Sequence, residues 1–238
     1  GYTLCATTSN VIVWNTVLRH NLPYNSVRDY APVMQGGFFD SALVAHVSRP
    51  YSSVNQLIEF ARANPDKVNW GHFGVNSTGY MYMSYLKKSR GVSFYPVPYK
   101  SASQALNAAL AGDVQVVGFA LGAAAIHVKA GKMKPLAVNS DKRLPAFPNV
   151  PTLKETGIDV NYRSWFGFFA PAATPRPLIE RMHREIARAV QTPELVARFA
   201  QQGVELASSP SPEQFSEFIR NDYQRWGKVI RDAGIKAE

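Results

Sequence analysis

Short apolar runs alternate with amphipathic runs through the middle of the chain, from about residue 67 to residue 157. The β-prone runs cover 68–70, 93–97, 114–119 and 134–138. The runs between them have helical spacing of apolar positions and cover 78–88, 102–111 and a segment up to residue 130. Strands that alternate with helices are typical of βαβ units. The pattern therefore predicts a doubly wound α/β arrangement with a parallel sheet.

Capping residues predict helix starts independently of this periodicity. Segments with the spacing of a capping box begin at Ser53, Ser101, Thr152 and Ser211. In each, a hydroxyl residue is followed three positions later by Gln or Glu, so the two side chains can satisfy each other's backbone N–H groups. We expect a helix at each position.

The two ends of the chain differ from this middle block. Strand-like runs at 2–7 and 42–47 precede it, and a strand-like run at 166–170 and three helical runs follow it. We expect the ends to form one lobe, residues 1–45 with 166–238, and residues 46–165 to form another. Chain crossings near His46 and Ser164 would then make a hinge and a cleft.

Composition narrows the function classes. The chain has 238 residues, 46% hydrophobic and 18% charged, which is typical of a globular protein. Its apolar runs stop short of the ~18 residues that a membrane span needs, so no membrane insertion is expected. The net charge of +9 is spread along helices without a nucleic-acid reader motif, so we expect no nucleic-acid partner but leave small anions open.

Metal and cofactor chemistry is not indicated. Cys5 is the single cysteine, which excludes an internal disulfide, and it is expected to be a packed apolar side chain. The five histidines lack the spacing of metal ligands. We therefore expect neither a metal site nor a cofactor.

The segment GHFGVNSTGY, residues 71–80, joins a predicted strand to a predicted helix. Ligands of open parallel sheets bind where strands end and helices begin. Gly71, Gly74 and Gly79 permit close backbone approach, and Ser77 or Thr78 can cap the helix. The N–H groups of its first turn favour an anion such as a carboxylate. Alternatively, Ser77 only caps the helix and the loop binds nothing.

Catalysis is not expected. The loop differs from a G-x-S-x-G nucleophile elbow, and no lysine of a P-loop follows it. No histidine has a recognisable catalytic partner in the sequence. A ligand-sensing or hydrolytic domain on the same two-lobed frame remains the alternative to a binding protein.

Segments spread over the whole chain carry a family resemblance. They are GYTL at 1–4, NLPY at 21–24, VPYK at 97–100, FPNVPT at 147–152, SWFG at 164–167 and APAATP at 170–175. Together they resemble the TctC or Bug family, the periplasmic solute receptors of tripartite tricarboxylate transporters. The resemblance implies a two-lobed, type II periplasmic-binding-protein-like α/β fold, with mostly parallel sheets flanked by helices. It also implies periplasmic location and a small carboxylate held in the cleft for delivery to membrane permease subunits.

The resemblance further implies the ligand-binding residues. The first-lobe wall would be Thr7, Thr8, Ser9 and Asn10. The second-lobe wall would be Gly71, His72, Phe73, Asn76, Ser77, Thr78, Phe119, Ala120 and Asn139, with Trp165 at the crossing.

Departures from the family pattern modify these expectations. The family often has Asp where Gln115 and Phe119 stand, which predicts a more apolar pocket and favours an aromatic or partly apolar acid over an amino acid. Relatives also carry a signal peptide and a strand–loop–helix segment ahead of the GYTL position, which we expect this chain to lack. An open sheet edge in the first lobe would follow.

Overall fold

A computed structural model describes residues 3–19, 21–144, 147–158, 163–232 and 235. The strands are β1 (Cys5–Thr8), β2 (Tyr30–Phe39), β3 (Ser41–His46), β4 (Asn69–His72), β5 (Tyr95–Pro98), β6 (Val116–Ala120), β7 (Met133–Asn139), β8 (Ser164–Pro171) and β9 (Val204–Leu206). The α-helices are α1 (Asn15–Leu18), α2 (Val54–Ala63), α3 (Thr78–Arg90), α4 (Ala102–Ala111), α5 (Leu121–Lys129), α6 (Arg176–Val190), α7 (Pro193–Ala200) and α8 (Pro212–Asp232). A π-helical turn (Asn10–Trp14) leads into α1, and a 3₁₀ turn covers Lys154–Thr156.

The chain divides into two units, each with its own sheet. The first unit is Gly1–Phe39 with Ser164–Glu238, and the second is Asp40–Arg163. The strand Ser41–His46, which we assigned to the first lobe up to residue 45, pairs in the second unit's sheet. Trp165, which we assigned to the second lobe, lies on β8 in the sheet of the first. The sequence pattern missed β2 and β9.

The first unit contains a four-stranded sheet in the order β1-β8-β2-β9. All its pairings are antiparallel, so the expectation of mostly parallel sheets is wrong for this unit. Helix α6 packs Ile179, Met182 and Ile186 toward Met34 on one face of the sheet. On the other face, the ring of Phe215 from α8 packs against the backbone of Gly167.

The second unit contains a five-stranded mixed sheet in the order β5-β4-β6-β3-β7. Strand β4 is parallel to β5 and β6, and β3 is antiparallel to both β6 and β7. The four strands of the βαβ pattern therefore run in one direction, as predicted. The fifth strand, β3, runs in the opposite direction to these four and is separated from β2 only by Asp40.

Helices cover both faces of the second sheet. Phe119 and Val117 point to one face and join a core with residues of α4 and α5, such as Leu106 and Ala124. On the other face, the backbone of Gly118 lies against Gly79 and Tyr82 of α3. The α/β class and the flanking helices are thus as predicted. Within the described residues, no helix combines the length and apolar character needed to cross a membrane.

The capping residues form the predicted bonds, and α-helices follow Ser53, Ser101 and Ser211, but the helix expected after Thr152 is only the 3₁₀ turn Lys154–Thr156. The hydroxyl oxygens of Ser53, Ser101, Thr152 and Ser211 each accept a hydrogen bond, at 3.2 Å, from the backbone N–H three residues later. In the Thr152 box the return bond also forms, since Glu155 accepts from the N–H of Thr152 at 2.7 Å. These bonds satisfy N–H groups that have no acceptor inside the helix.

Candidate functional site

One edge of the second unit's sheet collects most of the predicted second-lobe residues. The parallel strands β4 and β6 end there, at His72 and Ala120, and the register pairs Ala120 with Ser41 and Ser41 with Asn139. Because β3 runs opposite to its neighbours, its first residue lies beside their last ones. Sequence reasoning missed Ser41, since its place follows only from the direction of β3.

Ser77 fixes the start of α3 at this edge. Its hydroxyl donates to the carbonyl of Gly74 at 2.7 Å and accepts from the N–H of Tyr80 at 3.3 Å. The side chain is only 1% exposed. The cap that we predicted is therefore formed, and it holds the turn with Gly74 against the helix. The N–H groups of Thr78 and Gly79 precede the first helical bond, which Met81 donates to the carbonyl of Ser77 at 3.1 Å, so they have no acceptor within the helix.

The glycines in and near the loop have different structural roles. Gly74 has φ of +114°, a region that side chains disfavour, so it shapes the turn. A Cβ at Gly71 would lie 2.9 Å from Val117, so this glycine permits strand packing rather than ligand approach. A Cβ at Gly118 would lie 2.6 Å from the Cα of Gly79, so these two residues let α3 pack directly on β6.

His72 ends β4 and is 7% exposed. Its Nδ1 accepts a hydrogen bond from the N–H of Gly74 at 3.3 Å. Its ring contacts Tyr80 edge-on, with 4.9 Å between centroids. Burial lowers the pKa of the imidazole below its ordinary value, so the ring is neutral at neutral pH.

Phe119 and Gln115 do not support the predicted apolar pocket. Phe119 is 7% exposed and packs into the core with α4 and α5. Gln115 precedes β6, at the opposite end from Ala120, where its side chain accepts from the N–H of Asn69 at 2.6 Å. Gln115 therefore joins two strands. Phe73 packs partly against the same core as Phe119.

An ion-pair network that the sequence does not suggest lies where the second unit begins and ends. Arg163 contacts Asp40 at 2.9 Å, and both side chains are largely buried, 12% and 7% exposed. The same guanidinium contacts Asp141 at 3.3 Å, and that carboxylate is 77% exposed. The backbone carbonyl of Asp40 also accepts from the N–H of Leu121 at 2.9 Å, so both the backbone and the side chain of Asp40 are held in place.

The predicted first-lobe residues also lie together within the first unit. Thr7 and Thr8 end β1, where they pair with Gly167 and Phe166 of β8. Ser9 is fully buried, and its hydroxyl accepts from the N–H of Trp165 at 3.3 Å. Asn10 begins the π-helical turn and accepts from the hydroxyl of Ser164 at 3.2 Å. Ser9 thus holds the end of β1 against β8.

Trp165 belongs to the core of the first unit. Its side chain is fully buried and contacts Phe215 and Phe218 edge-on. Its indole N–H donates to Asp222 at 2.8 Å, and Asp222 also pairs with Arg225. Burial raises the pKa of the Asp222 carboxyl above its ordinary value. Because the indole N–H is already used, we assign Trp165 to the core and leave it out of the proposed site.

A cavity within the first unit lies away from the predicted residues. It has a volume of about 270 Å³ and is lined by side chains of β2 and α8, among them Tyr30, Pro32, Ile219 and Tyr223. None of the predicted site residues lines it.

The whole chain matches known proteins. A family model described as the tripartite tricarboxylate transporter family receptor, TctC, matches residues 1–235. A UPF0065 protein from the tcbD-tcbE intergenic region of Pseudomonas sp. (strain P51) is 29% identical over 241 residues, covering 100% of this chain and 70% of the relative. Protein BugT of Bordetella pertussis is 29% identical over 238 residues, with 99% and 73% covered.

Solved structures share the fold. R. palustris Rpa4515 with adipate superposes with a TM-score of 0.90 at 28% identity, covering 99% of this chain and 79% of that one. The periplasmic binding protein BugD has a TM-score of 0.88 at 22% identity, covering 100% and 80%. The periplasmic-binding-protein-like fold that the sequence predicts is therefore confirmed.

Proposed function

The chain belongs to the tripartite tricarboxylate transporter receptor family, and we propose that it is a periplasmic receptor for a small carboxylate. In this role it captures the acid outside the cytoplasm and delivers it to the membrane permease subunits of a tripartite tricarboxylate transporter. We propose that the predicted wall residues of each unit contribute to binding, except Gly71, Phe119 and Trp165, which serve strand packing or the cores.

The edge of the second sheet is the observation that carries this proposal. It combines the first turn of α3, the buried ring of His72, and the strand ends at Ala120 and Asn139. Free N–H groups at a helix N-terminus, together with the helix dipole, favour a carboxylate. Ser77 fixes these donors in place before a ligand arrives, which reduces the entropy lost on binding.

The relative that was solved with adipate supports an acid as the ligand class. It is 28% identical to this chain, and the match covers 99% of this chain and 79% of the relative. We propose a small acid without a preference for aromatic rings, because Phe119 is a core residue and Gln115 lies at the other end of its strand.

We further propose that the receptor binds its ligand without transforming it. Among the described residues, the recorded side-chain hydrogen bond of His72 comes from the N–H of Gly74 and not from a carboxylate, so no acid increases the basicity of the ring. His46 does contact a serine, Ser48, at 2.7 Å. That pair is exposed and lies at the far end of β3 from Ser41.

Native mass spectrometry of the purified protein, followed by calorimetry with adipate, succinate and benzoate, tests this function. We expect one retained or added acid per chain. At a concentration about 100 times its dissociation constant, a bound acid should stabilise the protein by about 2.7 kcal/mol. A protein that retains no acid and shows no heat or thermal shift with any of the three at millimolar concentration would refute the receptor proposal for these ligands.

A further inference from the structure

The cavity of the first unit has apolar walls and an open mouth. Strand β2 contributes Tyr30 and Pro32, α8 contributes Ile219 and Tyr223, and the loop before β2 contributes Val27. The volume of about 270 Å³ is near the lower end of the ~300–1,000 Å³ range of small-molecule sites, so it suits a ligand with one ring. Val27 is 75% exposed and Tyr223 is 41% exposed, so a ligand in the cavity would remove apolar surface from water.

Neighbouring contacts hold these walls in place without a ligand. The ring of Tyr30 has edge-on contacts with Tyr24 and Phe169, with 6.1 and 6.3 Å between centroids. The side-chain oxygen of Asn25 accepts a hydrogen bond from the N–H of Val27 at 3.0 Å, which holds the loop beside the cavity. Fixed walls reduce the entropy that is lost when a ligand binds.

The two serines that line the cavity have a defined hydrogen-bond direction. The hydroxyl of Thr16 donates to the carbonyl of Ile12 at 3.0 Å, so in its 2.6 Å contact with Ser26 the hydroxyl of Ser26 is the donor. The hydroxyl of Ser216 donates to the carbonyl of Pro212 at 2.9 Å. Ser26 is only 6% exposed. Because each hydroxyl hydrogen is already used, the serine oxygens remain as acceptors for a ligand that carries a donor.

Arg220 supplies the charge of the cavity. It lies one turn of α8 from Ser216 and one turn from Gln224, so the three side chains share a helix face. Among the described residues, no acidic side chain lines the cavity. A guanidinium offers donors without acceptors and pairs well with a carboxylate. The cavity therefore combines a cationic donor with neutral acceptors and apolar walls.

We propose that this cavity is a second binding site, for a single-ring aromatic acid that carries a hydroxyl group, such as 4-hydroxybenzoate. The ring packs against Tyr30 and Tyr223, which offer aromatic surface from two elements. The carboxylate pairs with Arg220, and the hydroxyl group of the ligand donates to a serine oxygen of the cavity. This site is additional to the proposed receptor function and does not depend on it.

Calorimetry in excess adipate, which fills the proposed receptor site, tests each part of this recognition. Benzoate lacks the hydroxyl donor, and 4-hydroxybenzyl alcohol lacks the carboxylate. We expect each to bind about three- to tenfold more weakly than 4-hydroxybenzoate, the effect of one lost hydrogen bond. Arg220→Gln should weaken 4-hydroxybenzoate binding by a similar factor, since solvent partly screens the exposed guanidinium. Arg184→Gln is the matched control, because it removes an exposed arginine of α6 outside the cavity and should leave the affinity unchanged.

NMR of the ¹⁵N-labelled wild type locates the ligand independently of any variant. We expect 4-hydroxybenzoate to shift the amide signals of Val27 and Arg220 and to leave those of residues 71–80 in place. Shifts confined to residues 71–80, no binding at millimolar concentration, or equal affinity in Arg220→Gln and the wild type would overturn the second site while leaving the receptor function intact. Binding at Val27 and Arg220 in a protein that binds no acid at residues 71–80 would support the second site and contradict the receptor proposal.

Discussion

Replacing Gly118 by alanine should push α3 away from the sheet edge that carries the proposed site. A Cβ on Gly118 would lie 2.6 Å from the Cα and 3.0 Å from the N of Gly79, both of them backbone atoms. Ordinary contacts begin near 3.4 Å, so the helix and strand must separate by 0.8 Å, the difference between 3.4 and 2.6 Å. Neither backbone can avoid the contact by changing a rotamer.

The energetic cost follows from this displacement. Overpacking a well-packed contact costs about 1–3 kcal/mol. For a chain of this size each kcal/mol lowers the melting temperature by about 2–4 °C, so Gly118→Ala should lower it by roughly 2–12 °C. The first turn of α3 and its Ser77 cap move with the helix, so the affinity for adipate should fall as well.

Gly79→Ala is the matched control, because it adds one methyl group to the other side of the same contact. Its Cβ would lie 3.1 Å from the nearest atom of Gly118, a displacement of only a few tenths of an ångström. Alanine is also the better helix former by up to about 1 kcal/mol. We expect the stability of this variant to be close to that of the wild type. A melting temperature and an adipate affinity of Gly118→Ala that equal or exceed those of Gly79→Ala would refute the reasoning.

Further predictions concern ion pairs, a buried acid and the helix caps. Asp40→Asn removes the buried carboxylate that pairs with the guanidinium of Arg163, so it should cost about 3 kcal/mol in urea unfolding. Asp141→Asn removes an exposed partner of the same guanidinium and should cost less than about 1 kcal/mol; equal losses would contradict this. Burial raises the pKa of Asp222, so just above about pH 4 the folded state binds more protons than the unfolded chain. The free energy of unfolding should therefore fall as pH rises through the raised pKa of Asp222. Thermal unfolding of Asp222→Asn at several pH values should lack this decline. Ser77→Ala and Ser101→Ala each remove a cap worth about 1 kcal/mol, but calorimetry should show weaker adipate binding only for Ser77→Ala.

Local chemistry made much of the second unit predictable. The capping residues at Ser53, Ser101 and Thr152 bond as expected, because a cap depends only on residues three positions apart. The helix predicted at 102–111 has those bounds in the structure. The loop at 71–78 was also located correctly at a strand end, since strand–loop–helix order fixes where a parallel strand stops.

The first unit was less predictable for a physical reason. Strand β2 contains a proline, consecutive glycines and register shifts against β8, so it lacks regular alternation. Its partner lies more than a hundred residues away, and pairing over that distance leaves no local signal. The family resemblance gave the correct fold but could not supply strand direction in this sheet.

For the candidate site, the sequence by itself determined the residue types: a glycine-rich turn, a capping serine and a histidine at one strand end. Only the tertiary structure decided their surroundings. The antiparallel entry of β3 brings Ser41 between Ala120 and Asn139, and the turn after β4 brings the N–H of Gly74 to Nδ1 of His72. Long-range packing likewise assigns Phe119 and Trp165 to cores, because a side chain's burial depends on neighbours that are remote in the chain.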